Sequence, residues 1–141
     1  MEIRTPITPK EWDAYYDLRY RLLREPLGKP IGSERNDGDL TGRHLALYDN
    51  GLKAIARLDK AENGDAQVRF VAVEKDQQRK GYGKMIMLKA EELARGSGKS
   101  KMILHARDYA VDFYLSLGYK VVEKSHLLFG VLQHYLMEKV L

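Results

Sequence analysis

The sequence predicts an α/β chain of the α+β kind, a single domain over residues 1–141 built on a mixed, mostly antiparallel seven-stranded sheet with helices on both faces. Three observations lead there. Apolar periodicities run in the order β-α-loop-β-β-β-α-β-α-β-β. Asp49-Asn50-Gly51 reads as a hairpin turn, because Asn-Gly suits a turn whose residues need positive φ. The strand Val68 to Val73 is followed directly by a glycine-punctuated turn and a helix.

The elements follow in order. Glu2 to Ile7 is a short first strand. Thr8-Pro9-Lys10-Glu11 combines a threonine N-cap, proline at the first helical position and glutamate at the third, which is a capping box. Trp12, Tyr15, Leu18, Leu22 and Leu23 mark the buried side of the helix it starts, and Pro26 and Gly28 require that helix to end. Leu27 to Thr41, interrupted by Gly28, Pro30, Gly32 and Gly38, is a loop of a length that usually carries function. His44 to Tyr48, Leu52 to Leu58 and Val68 to Val73 form an antiparallel meander. Gly81 to Arg95 is helical until Gly96-Ser97-Gly98, and Met102 to His105 is a central strand. Ala110, Phe113, Tyr114 and Leu117 form one face of a short helix closed by Gly118. Tyr119 to Glu123 and His134 to Val140 are the last two strands.

Composition narrows the function. The 44% hydrophobic and 31% charged shares are those of a water-soluble globular domain. No apolar run approaches a membrane span and Met1-Glu2-Ile3-Arg4 does not open a signal peptide, so a cytoplasmic protein with no membrane partner is expected. The absence of cysteine agrees with a reducing compartment and excludes a thiol nucleophile and thiolate metal sites. His44, His105, His126 and His134 lack metal-ligand spacing, so no metal is expected. The net charge of +4 is spread among acidic residues, which argues against a nucleic-acid partner and suits a small polyanion. Oligomeric state is left open, a homodimer included.

The chemistry concentrates at Gln78-Arg79-Lys80-Gly81-Tyr82-Gly83-Lys84. Glycines at 81 and 83 clear the backbone, the start of a helix presents free N–H groups and the positive end of its dipole, and Arg79, Lys80 and Lys84 add charge. The arrangement is a diphosphate cradle. It lacks the third glycine of the dinucleotide fingerprint, since Ile86 stands there, and the Gly-Lys-Ser/Thr of nucleotide hydrolases. It resembles instead Gln/Arg-x-x-Gly-x-Gly/Ala, the acetyl-coenzyme A pyrophosphate motif of the GCN5-related N-acetyltransferases (GNAT), with Gln78, Gly81 and Gly83 in the fixed places. Ala110-Val111-Asp112-Phe113-Tyr114-Leu115-Ser116-Leu117-Gly118-Tyr119 is similar to that family's last helix, Ala-x-x-Phe-Tyr-x-x-x-Gly-Phe/Tyr. The likeness in element order runs the length of the chain.

The resemblance implies a GNAT-like acyl-CoA acyltransferase fold whose fourth and fifth strands splay around the pantetheine arm, with Phe113 beside the cofactor. It implies direct transfer of acetyl from acetyl-CoA to an amine of a small molecule or peptide. Tyr114 would protonate the departing thiolate, and a phenol of pKa near ~10 is a suitable donor to a thiolate whose conjugate acid is near ~8.5. A backbone N–H within Val71, Ala72 and Val73 would face the carbonyl oxygen. The family's glutamate base falls at Gln67, which cannot serve. Glu34, in the long loop with Asp37 and Asp39, and His105 are the alternatives. The segment Arg19 to Pro30 with Ser33-Glu34 also resembles one bacterial subgroup, in which that loop would cover the acceptor side and its carboxylates favour a cationic amine. Without a base, low-pKa amines are expected: neutralising a lysine-like amine at pH 7 costs about 4.6 kcal/mol and an α-amine about 1.4 kcal/mol. Two other classes stay open, an acyl-CoA sensor without turnover, supported by Gln67, and a small basic nucleic-acid-binding domain. Arg69 and Arg107 are expected to border the cleft.

Overall fold

The computed structural model describes residues 1–141. The strands are β1 (Glu2–Arg4), β2 (Arg43–Tyr48), β3 (Leu52–Lys60), β4 (Ala66–Val73), β5 (Lys101–Arg107), β6 (Lys120–Leu128) and β7 (Leu132–Val140), and the helices are α1 (Pro9–Leu23), α2 (Tyr82–Gly96) and α3 (Val111–Ser116). The sheet order is β1-β2-β3-β4-β5-β7-β6, antiparallel at every pair except β4 with β5, where α2 makes the crossover. One seven-stranded mixed sheet results, as the order of elements predicts. No helix is long and apolar enough to cross a membrane.

Several strands run one or two residues longer at an end than the sequence reading, and two boundaries differ further for local reasons. The first strand stops at Arg4, because the residues after it are used to start the helix. Thr5 Oγ1 donates to the His44 carbonyl at 2.8 Å, and the Glu11 carboxylate accepts from the Ile7 and Thr8 amides while Thr8 Oγ1 accepts from Glu11 N. At the other end, β6 runs on to Leu128 and pairs Leu127 with Gln133 and Leu128 with Leu132. The turn between has positive φ at Phe129 (52°) and Gly130 (72°), which phenylalanine seldom adopts. Only the glycine was a readable turn signal.

The sheet packs α1 on one face and α2 and α3 on the other. Tyr15, Leu18 and Leu23 of α1 bury against Ala46, Ile55 and Ala72. The larger core joins Ile86, Met87, Ala90 and Ala94 of α2 to Leu45, Ala56, Val68, Met102 and Leu104. Ala66 and Val68 of β4 therefore face α2, whereas Phe70 and Ala72 face α1. Alternation forbids that switch in a regular strand. It happens at Phe70, whose φ is +54°, where the pairing with β3 steps from Arg57↔Arg69 to Ile55↔Ala72. β4 thus carries a β-bulge, which re-aims the side chains after it.

The long loop is held by buried charge. Arg19 of α1 and Arg57 of β3 are both fully buried, and both donate to Asp39 Oδ1 at 2.8 Å. Arg57 also donates to Asn36 Oδ1 at 2.7 Å and to both Asp59 oxygens at 2.8 Å. Tyr15 hydroxyl accepts from Arg19 at 3.0 Å and lies 2.8 Å from His44 Nδ1, while His44 Nε2 is 2.9 Å from the Asp39 carbonyl. A carbonyl only accepts, so His44 carries its proton on Nε2 and Tyr15 donates to Nδ1; burial lowers the His44 pKa and keeps it neutral.

Gly38 and Gly42 exist for Arg57. A Cβ at Gly42 would lie 2.7 Å from Arg57 Cδ, and one at Gly38 would collide with the guanidinium. Gly42→Ala is expected to lower unfolding stability by about 1–3 kcal/mol, the cost of overpacking. Gly96→Ala, at a helical position with open space around it, should gain roughly 0.4–1 kcal/mol. Urea unfolding midpoints of the two variants should move in opposite directions.

Candidate active site

β4 and β5 are paired only at Ala66↔Met102 and Gln67↔Ile103. Beyond those residues each strand continues, β4 to Val73 and β5 to Arg107, with no pairing between them, so the β5-facing backbone of β4 past the bulge has no strand partner. The gap is a cavity of about 180 Å³ floored by Val68, Val71, Leu104 and Ala106 and walled by Tyr114. Val71 therefore borders it, and Ala72 and Val73 continue the same open edge.

Tyr114 is buried at 8% exposure, with its ring edge-on to Phe113 at 5.0 Å and Tyr119 at 5.9 Å. Burial pushes its pKa up, and no protein group hydrogen-bonds its hydroxyl. The phenol is thus held protonated at the wall of the cavity. Tyr119 is fixed in turn by donation to buried Glu91 of α2 at 2.8 Å, which also takes Lys139 at 2.9 Å.

The turn before α2 has the form a polyanion requires. Arg79 (φ 65°) and Gly81 (φ 85°) are both left-handed, Gly81 is the N-cap and so supplies no side-chain cap, and the first turn has no acidic residue. The first N–H groups of a 15-residue helix are left for a ligand. Gln78 Nε2 donates to the Val73 carbonyl at 3.3 Å, tying the turn to the end of β4. Arg79, Lys80 and Lys84 are exposed around it, and Lys80 reaches Gln77 Oε1 at 3.1 Å. Tyr82 commits its hydroxyl to Asp49 at 2.8 Å, so its side chain anchors α2 to the β2–β3 hairpin and only its backbone faces the turn. Gly83 has a packing reason of its own: a Cβ there would lie 3.1 Å from Phe113 Cζ and 3.5 Å from Val73 Cγ2. Substituting it would disturb the α2–α3 contact as well as any ligand.

Glu34 is not brought to the site, which corrects the expectation of a carboxylate there. It is 2% exposed, its Oε1 accepts from Gly32 N at 2.7 Å and its Oε2 from Arg35 at 3.1 Å, and it does not line the cavity. Asp39 is taken by Arg19 and Arg57, and Asp37 lies exposed away from the lining. Glu34 and Asp39 hold the loop in place. Gln67 does line the cavity, as do Arg69, Arg107 and His105.

Sequence reading missed Arg24, His126 and His134, which complete the lining. The imidazoles gather only because the extended β6–β7 hairpin returns the chain: His126 stacks on His134 at 4.3 Å and lies 5.3 Å from His105. His134 lies with Nδ1 3.1 Å from the Leu132 carbonyl and so donates from Nδ1, leaving a lone pair on Nε2. Burial lowers all three pKa values, His134 to about 4, so the cluster is uncharged at neutral pH. It does not make a metal site, as no group of three His, Asp or Glu side chains is placed to hold an ion.

Residues 34–141 match the model of the acetyltransferase (GNAT) domain. The chain belongs to the GNAT acetyltransferases. It is 28% identical over 127 residues, 90% of each chain, to an N-acetyltransferase of Bacillus subtilis. Its fold is shared with an acyl-CoA N-acyltransferase of Pseudomonas aeruginosa (TM-score 0.81, 22% identity, 99% of this chain and 97% of that one) and with an aminoglycoside 6'-N-acetyltransferase crystallised with coenzyme A (TM-score 0.82, 16% identity, 99% and 97%). GNAT membership and fold therefore agree with the motifs read from the sequence, and the protein is an acetyltransferase.

The histidine cluster makes stability depend on pH. His134 titrates near its ordinary value of 6.5 when unfolded and near 4 when folded, so the unfolded chain binds more protons between those limits. Its contribution is fully present above about pH 6.5 and is lost as pH falls toward 4, with a slope of at most about 1.4 kcal/mol per pH unit. Urea midpoints measured across that window should fall with acidification, and His134→Gln should flatten the fall.

Proposed function

We propose that the protein is an acetyl-CoA-dependent N-acetyltransferase that passes the acetyl group directly to an amine held with the cofactor in one complex. The observation that carries the reading is the parting of β4 and β5 between an uncapped helix start and the buried Tyr114, whose hydroxyl no protein group partners. The aminoglycoside 6'-N-acetyltransferase, which shares this fold, was crystallised with coenzyme A. The chain's residues fit such a ligand. The Gln78 to Lys84 turn would hold the pyrophosphate with backbone N–H groups and the Arg79, Lys80 and Lys84 side chains. The open edge of Val71, Ala72 and Val73 would take the pantetheine arm, beside Phe113 packed on Gly83.

Bound acetyl-CoA supplies an activated thioester carbonyl. Tyr114, kept protonated by burial, would donate its proton to the sulfur as it leaves. Backbone N–H groups of β4 past the bulge are free to polarise the carbonyl oxygen. No carboxylate lines the cavity, so the proton acceptors at hand are the neutral imidazoles of His105, His126 and His134.

Tyr114→Phe keeps the ring and should lower kcat by about 10²–10⁴ with little change in acetyl-CoA affinity. Wild-type turnover in that variant, followed by free-thiol release, would make Tyr114 a packing residue. The cradle is tested with Arg79→Gln/Lys84→Gln rather than at Gly83, because neither cation has a carboxylate partner to lose. Affinity for acetyl-CoA by calorimetry should drop roughly tenfold or more and depend less on salt, with the melting temperature unchanged.

A further inference from the structure

Arg4, Arg19, Arg21, Arg35, Arg57 and Arg95 each pair with a carboxylate. Arg24, Arg69 and Arg107 do not, and all three line the one cavity between β4 and β5. They converge from different elements. Arg24 follows the last turn of α1 and donates only to the Leu23 and Ser33 carbonyls, at 3.1 and 3.2 Å. Arg107 ends β5 and donates to the Leu23 carbonyl at 2.7 Å and to Tyr109 hydroxyl at 3.1 Å. Arg69 comes immediately before the bulge and has no hydrogen-bond partner on its side chain; its guanidinium lies 5.7 Å from the Phe70 ring centre. Backbone carbonyls and a phenol orient Arg24 and Arg107 without neutralising them, and Arg69 is left free.

Like charges gathered at one cavity repel unless an anion joins them; Arg24 and Arg107 are half-buried there and Arg69 is exposed at its rim. Arg24 is held below its ordinary pKa first by burial and then by Arg107, Arg19 and Arg69, and Arg69 is lowered by burial and by Arg57. The lining itself contains no Asp or Glu; Asp59 and Asp39 act on Arg69 and Glu34 on Arg24 only from outside it and do not restore the ordinary pKa, and the three histidines there are neutral. The mouth is cationic too, since Lys29 stands 4.2 Å and Arg24 5.4 Å from the Phe129 ring centre at the tip of the β6–β7 hairpin. A polyamine or lysine-rich peptide would enter against this field.

We infer that the acceptor is an amine carrying a carboxylate or phosphate a few bonds from its nitrogen, with the anion seated on Arg69, Arg24 and Arg107. This rests on the acetyltransferase reading and names its substrate class. A guanidinium fork takes a carboxylate or phosphate oxygen pair bidentately, which a surface lysine does not reproduce. Arg69 adjoins the bulge residue, so an anion bound there places a nearby amine at the open edge of β4. Three guanidiniums against one anion leave positive charge, which favours the neutral amine. That removes part of the need for the base that Gln67 cannot be.

The test separates the two readings. Acetyl-CoA binding is measured first, by calorimetry, and its absence would sink the acetyltransferase reading whatever anions do. With coenzyme A then saturating its own site, N-acetylglycine and inorganic phosphate are titrated, with N-acetylputrescine as the cationic comparison. At least one anion should bind about tenfold or more tightly than N-acetylputrescine, and which one binds tells carboxylate from phosphate acceptors. Arg69→Gln should erase that preference, Arg69→Lys should restore it in part, and coenzyme A affinity should stay unchanged in both. Equal or tighter binding of N-acetylputrescine, no binding of either anion, or unaltered anion affinity in a folded Arg69→Gln protein would each overturn the assignment. So would a loss of coenzyme A affinity in that variant, which would give the guanidinium to the cofactor.

Discussion

The bulge at Phe70 is the constraint on which the site depends. A regular β4 would send Phe70 and Ala72 into the α2 core and Val71 toward α1; the positive φ at Phe70 reverses this for the remainder of the strand. A phenylalanine in the left-handed region costs energy that its surroundings must offset. Here the ring is turned onto the α1 side, where the guanidinium of Arg19 lies 4.3 Å and that of Arg57 5.0 Å from its centre. The same two arginines fix the long loop through Asp39. Loop, first helix, third strand and bulge are therefore one mechanical unit.

That unit explains why so much charge is buried in a small domain. A buried ion pair is seldom a net source of stability compared with apolar packing, but removing one member leaves the other uncompensated. Asp39 faces two fully buried guanidiniums, and the hydrogen bonds through Asn36, Asp59, Tyr15 and His44 satisfy most of the remaining donors. Arg19 Nε alone stays without a partner. Such a network specifies one arrangement of the loop, since a displaced Asp39 would strand both arginines at once.

The sequence made the fold legible where local chemistry decides it. The capping box at Thr8, the Asn-Gly hairpin and the glycine turn before α2 are statements about a few neighbouring backbone groups, and each appears where its residues require. The two helix motifs and the strand between them likewise positioned the Gln78 to Lys84 turn and Tyr114. What escaped was set at long range. Asp39 and Glu34 look like free acids in a polar loop until Arg19 and Arg57 arrive from a helix and a strand. His126 and His134 become neighbours through a hairpin whose turn depends on a left-handed phenylalanine, for which no pattern exists. Arg24 is indistinguishable from a solvated helix end until Arg107 meets the Leu23 carbonyl beside it.

The misplaced carboxylates change the electrostatics of the whole cleft, not just one candidate base. With Glu34, Asp37 and Asp39 on the cavity wall, the site would attract cations and stabilise the protonated amine, and a base would be indispensable. With those acids withdrawn and Arg24, Arg69 and Arg107 left, the same cavity favours neutral nitrogen and attracts anions. Glutamine at position 67 is consistent with that field, because a glutamate there would add a negative charge to the same lining. The absence of a carboxylate and the excess of guanidinium are then two aspects of one choice of charge, made on the side of the cavity that faces Tyr114, whose phenol burial keeps protonated.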